Sequence, residues 1–471
     1  MDTRIFWLRR DLRLEDSVAL HQALDGADRV VPLFVLDPAL VTASTMSAAR
    51  LSFLCDALAD LDVGLRDRGG RLVIRQGNPR TVLPEVAAEV RATAVHWAAD
   101  HTTYAQRRDP VVAAALEEAG VATTTHPGVA LHAPGSVRSG SGEPYRVFSP
   151  FQRAWLARGM ADPIPAPDDV PAHGNVASDD LPTLAVLRAD LADELPGGVL
   201  EGGERAAQRR LEDFLAERAG DYADRRDLLG VDGTSRLSAD LHYGCLSPRQ
   251  VLHRLDRRRP GHRTFASEIA WRDFYLHVMD EWPEVRDHEF NPGYRSLPWR
   301  GHGSDFDAWA AGRTGYPIVD AGMRQLRELG WMHNRARMIV ASFLCKDLLI
   351  DWRLGQDHFL RHLVDGDMAS NNGGWQWAAG TGTDAQPYFR IFNPVTQGQR
   401  FDADGSYVRR WVPELAALPD RWLHRPWELP AEVAQELGFV LERDYAAPLV
   451  DHGEARRRTL QWFQDHRGTD G

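Results

Sequence analysis

The sequence predicts an α/β domain with a parallel sheet at the N-terminal end, followed by a large all-helical domain. Three observations carry this. Strand-like apolar runs alternate with helical segments over residues 1–130. A stretch rich in proline and aspartate follows over 131–200. From 201 to 471, apolar residues recur at helical spacing.

Residues 5–8 (IFWL), 30–36 (VVPLFVL), 72–74 (LVI) and 94–97 (AVHW) read as strands. Residues 49–65 carry Leu51, Leu54, Leu58 and Leu61 at helical spacing, and Gly69 and Gly70 end that helix. Strands alternating with helices imply a Rossmann-like parallel sheet with helices on both faces. No GxGxxG loop follows the first strand, which runs instead into Arg9, Arg10, Asp11, Leu12 and Arg13. That counts against a nicotinamide dehydrogenase. In 131–200, Pro163, Pro165, Pro167 and Pro171 interrupt any period, so the stretch reads as a connector wrapping one domain. Helices are then expected over 204–218, 250–258, 265–282, 318–329, 333–349 and 355–363. No period of about 20–50 residues recurs, so no solenoid is expected.

The 471 residues are 43% apolar and 26% charged, an ordinary composition for a soluble protein. No apolar run approaches the roughly 20 residues of a membrane span, and the N-terminus lacks a signal-peptide layout. Cys55, Cys245 and Cys345 lie far apart without CxxC pairing, which fits a reducing cytoplasm and argues against a zinc site. The net charge of −12 speaks against nucleic acid only weakly, because a local basic cleft binds phosphates on an acidic protein. Lys346 is the only lysine. Arginine suits forked phosphate contacts, although a GC-rich genome gives the same bias.

The densest chemistry lies in residues 365–377 (DGDMASNNGGWQW). Two carboxylates flank Gly366, and Asn371, Asn372, Gly373, Gly374, Trp375 and Trp377 follow. The composition reads as a poor helix and a good ligand cradle: glycines for close approach, amides for hydrogen bonds, indoles as oxidisable π-systems. A buried turn explains any one of these residues but not the cluster. Glu268, Trp271 and Arg272 share one face of the 265–282 helix, as do Asn334 and Met338 of theirs. Arg337 is a candidate to neutralise Asp365 or Asp367. Tyr222 and residues 233–238 (GTSRLS) offer hydroxyls and loop amides for phosphate oxygens, though a Thr-Ser turn is usually a helix cap. Neither a metal ligand set nor a GxSxG elbow is present. Among 15 tryptophans, Trp299, Trp352 and Trp375 fall on different segments and could line up as a path for electron hopping.

These motifs resemble the photolyase/cryptochrome family, and within it the class I cyclobutane pyrimidine dimer photolyases. The likeness runs from residues 6–13 through 234–238, 271–275, 315–320, 331–338 and 365–388 to 390–397. It implies a light-driven DNA-repair lyase with FAD in the helical domain. Tyr222, Thr234, Ser235, Arg236, Leu237 and Ser238 would hold the phosphates, and Asp365, Gly366 and Asp367 the polar parts. Arg337, Trp271 and Asn334 would line the site, and Asn371 would face the redox-active nitrogen. Plant cryptochromes typically carry Asp at that position and animal ones Cys. Glu268, Trp271, Asn334, Met338 and Trp377 match positions that hold a flipped dimer. Photolyases for the six-four photoproduct usually place His where Met338 stands. Arg226, Arg272, Arg335, Arg390 and Gln397 would contact the DNA strand. Trp375, Trp352 and Trp299 would be the proximal, middle and distal members of a photoreduction relay.

For an antenna, Ala105 and Gln106 replace the Asn-Glu of folate-binding relatives. Asp37, Met46, Arg50 and Asp100 look instead like the site of relatives that bind 8-hydroxy-5-deazaflavin; methenyltetrahydrofolate or no antenna is the alternative. Ser17 departs from the Asn common in the family. The expected partner is UV-damaged DNA, single- or double-stranded, bound by a monomer. A cryptochrome-type blue-light sensor is the nearest rival, disfavoured by the short polar remainder after residues 456–464. A structural DNA-binding flavoprotein is a second rival and would not need Glu268.

Overall fold

The computed structural model describes residues 1–466. Five strands, β1 (Thr3–Leu8), β2 (Arg29–Leu36), β3 (Val73–Gln76), β4 (Ala94–Ala98) and β5 (Ala122–His126), form one parallel sheet in the order β3-β2-β1-β4-β5. Successive side chains of a strand point to opposite faces. Ile5 and Trp7 of β1 therefore enter one apolar cluster, and Phe6 and Leu8 another. Both faces are covered, which is why this strand reads as an unbroken apolar run. β5 has no counterpart among the predicted strands. It is an edge strand, and of Ala122, Thr123, Thr124, Thr125 and His126 only the histidine is buried, so no apolar run marked it.

The helix predicted over 49–65 is Ala48–Arg66, capped by Ser47. Ser17 caps the Val18–Leu24 helix, work that an Asn would also do. The proline-rich stretch runs back along the sheet. Val30 donates to the Pro171 carbonyl (2.8 Å), Val170 to Arg68 (2.7 Å) and Asp179 to Ile74 (2.9 Å). It also contains an unpredicted helix, Phe148–Ala157, whose Trp155 Nε1 donates to Asp273 (2.9 Å) in the helical half. The connector thus packs on both halves.

Beyond residue 201 the described elements are helical, including Glu204–Glu217, Pro260–Glu281, Pro317–Leu329, Trp352–His362 and His452–His466. The helix predicted over 250–258 is shorter, Pro248–His253. A capping box of Ser247 and Gln250 starts it, and it stops before the charged run Asp256, Arg257, Arg258, Arg259. The segment predicted as one helix over 333–349 is an α-helix, Asn334–Ser342, continuing as a π-helix, Phe343–Asp347. One turn of altered hydrogen-bond register barely disturbs the apolar period, so the sequence does not betray it. Among the described residues, no helix is long and apolar enough to cross a membrane.

The π-turn buries Lys346 completely. Its Nζ lies 4.2 Å from the Phe463 ring centroid and 3.4 Å from the Tyr388 carbonyl. Burial pushes its ammonium down to about 7. A base depressed in the folded state leaves the unfolded chain binding more protons between that value and the model-compound value of 10.5. Its destabilising effect is therefore full below about pH 7 and fades as pH rises toward about 10. We expect Lys346→Met to raise the denaturation midpoint near pH 7 and the gain to shrink at about pH 9.5, read from urea titrations at both values. An equal gain at both would contradict this origin.

Candidate functional site

One cavity of about 480 Å³ opens in the helical half, within the range typical of ligand sites. Its polar end is built on the Asp365–Asp367 turn. Asp365 accepts from Ser238 Oγ (2.5 Å) and from Arg337 Nη2 (2.8 and 3.1 Å). Asp367 uses one oxygen to cap the next helix at the Ser370 amide (3.0 Å) and the other to receive Arg10 Nη2 (2.6 Å) and His242 Nδ1 (3.4 Å). Burial alone would raise the Asp367 carboxyl. Arg10, His242 and Arg272 outweigh it and hold the group well below the usual carboxylate range. Burial, reinforced by Arg10, pushes the His242 imidazole down to about 4.

The residues after Asp367 depart from the predicted poor helix: they form Met368–Ala379. The aspartate cap and tertiary packing override the low propensity of two Asn and two Gly. A Cβ on Gly373 would lie 2.2 Å from the Tyr275 ring, so this glycine seats the helix on Pro260–Glu281. A Cβ on Gly374 would meet nothing within 4 Å, and Gly374 faces the cavity. Asn371 donates its Nδ2 to the Gln356 carbonyl (3.0 Å), leaving its oxygen for other partners.

Tyr222, Thr234, Ser235, Arg236, Leu237 and Ser238 line the cavity. Arg236 has φ 56, in the left-handed region, and Leu237 is right-handed at φ −87. Consecutive residues of opposite hand turn their amides toward one side, an anion cradle that needs no glycine loop. This donor set and the paired carboxylates fit the phosphates and polar parts of a dinucleotide.

Glu268, Trp271, Asn334, Arg337, Met338, Trp375 and Trp377 also line the cavity. Trp271 stacks on Phe148 with centroids 3.7 Å apart and planes 9° apart. Asn334 Nδ2 approaches Met338 Sδ at 3.9 Å. Glu268 is ion-paired with Arg226. Burial raises the Glu268 carboxyl, and Arg226 pulls it back.

Three of the arginines expected at DNA are otherwise engaged. Arg226 is held by Glu268, and Arg335 pairs with Asp227 (2.8 Å) over the Phe401 ring. Arg272, which lines the cavity, donates to the carbonyls of Val129 (2.7 Å) and Leu241 (3.0 Å). Arg390 is exposed and Gln397 half-buried, neither lining the cavity.

Of the tryptophans, Trp375 packs against Gly355, one turn from Trp352 in Trp352–His362. Trp352 and Trp299 donate to one carboxylate oxygen of Glu289, and Trp299 leans on Trp462 at 4.9 Å. The four antenna residues divide. Tyr104 donates to Asp37. Arg50 is spent on the Leu360 (2.7 Å) and Thr45 carbonyls, and Asp100 pairs with Arg10 (3.5 Å). Arg50 and, through Arg10, Asp100 thus bond across the junction of the halves, while Asp37 is bonded within the sheet-bearing half.

Sequence reasoning missed Arg10, His242, Tyr275, Gln356 and Glu289. Arg10 stood in a noted motif, but its partner lies 357 positions away.

Two family models match the chain: DNA photolyase over residues 4–168, and the FAD binding domain of DNA photolyase over 265–465. A deoxyribodipyrimidine photo-lyase of Streptomyces griseus is 44% identical, covering 100% of both chains. A crystal structure of a class III photolyase from Agrobacterium tumefaciens superposes with TM-score 0.91 at 38% identity, covering 99% of this chain and 98% of that one. A Synechocystis cryptochrome superposes with TM-score 0.89 at 30% identity, covering 98% and 99%. The chain belongs to the photolyase/cryptochrome family, and its helical half carries that family's FAD-binding domain.

Arg337 is the only cation bonded to Asp365 among the described residues. Arg337→Met would leave that carboxylate buried and unpaired, which costs about 3 kcal/mol. A urea-unfolding midpoint equal to that of the unsubstituted protein would contradict the pairing.

Proposed function

We propose that the protein is a deoxyribodipyrimidine photolyase that splits cyclobutane pyrimidine dimers in UV-damaged DNA. The observation that carries this is the cavity itself, where a dinucleotide cradle at one end meets a carboxylate, a thioether and two indoles at the other. When bound, reduced FAD would supply the light-driven one-electron chemistry of the dimer's splitting. The chain's residues do the rest. Asp365, Asp367, Tyr222 and residues 234–238 would hold the cofactor, and Asn371 would offer it an amide oxygen.

A dimer must leave the stack to reach so enclosed a site, and a damaged step is the least costly to flip. Trp271 and Trp377 pack on the flipped bases, with Trp271 braced by Phe148. Glu268, released from Arg226 or sharing it, hydrogen-bonds a base edge where negative charge develops. Arg226 then becomes available to a phosphate. Asn334 and Met338 fill the remaining wall. Trp375, Trp352 and Trp299 carry electrons inward when the cofactor is oxidised. The same reading assigns a deazaflavin-type antenna near Asp37 and Met46, and action as a monomer. The likeness to a cryptochrome favours one second reading, a blue-light sensor.

The test is a repair assay with the reduced protein, an oligonucleotide carrying one thymine dimer, and blue to near-ultraviolet light. We expect intact thymines in the light only, with the yield reduced about tenfold or more in Glu268→Ala. An action spectrum that gains a second band after co-expression with a deazaflavin pathway supports the antenna; an unchanged spectrum contradicts it. No repair by flavin-loaded protein would sink the photolyase reading in favour of the sensor.

A further inference from the structure

We propose that Glu289 is a positioning residue for electron transfer, the fixed anion that stabilises positive charge on Trp352 and Trp299 as an electron passes inward through them. This rests on the relay reading above. Glu289 Oε1 accepts from Trp299 Nε1 (3.1 Å) and from Trp352 Nε1 (3.2 Å). Glu289 Oε2 receives Arg353 Nη2 (2.8 Å). The carboxylate is 1% exposed and Trp352 is 0% exposed. One buried anion thus touches both indole nitrogens that lose electron density, and little water screens it.

The arrangement also has a direction. Arg353 lies 4.6 Å over the Trp352 ring and opposes positive charge there. Among the described residues no cation lies over the Trp299 ring, so the combined field of Glu289 and Arg353 favours charge on the outer indole. Burial would raise the Glu289 carboxyl, but Arg353 and the Trp352 N–H outweigh it and keep the group below its ordinary range. It therefore stays ionised and leaves the indole proton in place, so the charge remains free to move.

No bond to carbon forms or breaks. Trp352 gives one electron to Trp375 on the cavity side and is refilled by Trp299. The half-buried Trp299, beside Trp462, is refilled by a thiol reductant in solution.

The test uses full-length, flavin-loaded, oxidised protein with Glu289→Gln, Arg353→Met and the control Trp299→Phe. Flash absorption reads the indole cation, and ¹⁵N–¹H spectra read the indole N–H groups, assigned through Trp299→Phe and Trp352→Phe. In Glu289→Gln we expect the yield of charge on Trp299 to fall about tenfold or more, and both assigned N–H resonances to move upfield. Should that variant fail to fold, Arg353→Met decides: its unopposed carboxylate takes the Trp352 proton, and a neutral indole radical replaces the cation. Unchanged yield and resonances in Glu289→Gln, or an unchanged cation in Arg353→Met, would overturn the proposal. Unimpaired photoreduction in Trp299→Phe would instead refute the relay.

Discussion

Two carboxylates two residues apart, Asp365 and Asp367, are each 7% exposed, and everything about the cavity depends on how they are neutralised. A buried carboxylate stripped of its partner costs about 3–5 kcal/mol, a large share of a fold's net stability. Each therefore takes its own arginine, one from each half of the chain. Arg337 comes from the neighbouring Asn334–Ser342 helix, Arg10 from the loop after β1. The polar end of the cavity is complete only when the sheet-bearing and helical halves are docked.

The docking has the same character elsewhere. Arg13 donates to the Gly244 carbonyl (2.9 Å), the Leu12 amide to Tyr243 (3.2 Å), and the Tyr243 hydroxyl to Arg50 (2.9 Å). The Arg9–Arg13 motif takes the place where a dinucleotide loop would start; its Arg10 and Arg13 serve the neighbouring domain instead of a phosphate, and Arg9 pairs with Asp109 in its own. The glycines of Met368–Ala379 divide similarly: one admits a protein ring and the other opens onto the cavity. Glu289 sits likewise between two indoles and one arginine, accepting from all three.

Much of this was legible in the sequence. Four of five strands and the helices expected over 49–65, 204–218, 265–282, 318–329 and 355–363 followed from apolar period alone, because burial on one or two faces imposes it; the long helices Thr103–Glu118 and His452–His466 did not. β5 was not, since an edge strand needs no apolar run. The π-turn at Phe343–Asp347 was not, since period survives one altered turn. The Arg337–Asp365 pair was anticipated from charge balance and proximity in sequence. The Arg10–Asp367 pair was not, because tertiary partners 357 residues apart leave no local trace. Arg272 was placed correctly on the face of Glu268 and Trp271. Its hydrogen bonds to two carbonyls belong to elements whose docking the sequence does not specify.

The measurement that tests this account most directly is the affinity of the apoprotein for FAD in Arg10→Met, followed by flavin fluorescence. Arg10 does not line the cavity. If the buried aspartates must be neutralised from both halves for the site to exist, affinity falls about tenfold or more. FAD binding equal to that of the unsubstituted protein, in a folded variant, would show that the helical half builds its site alone and would contradict the account.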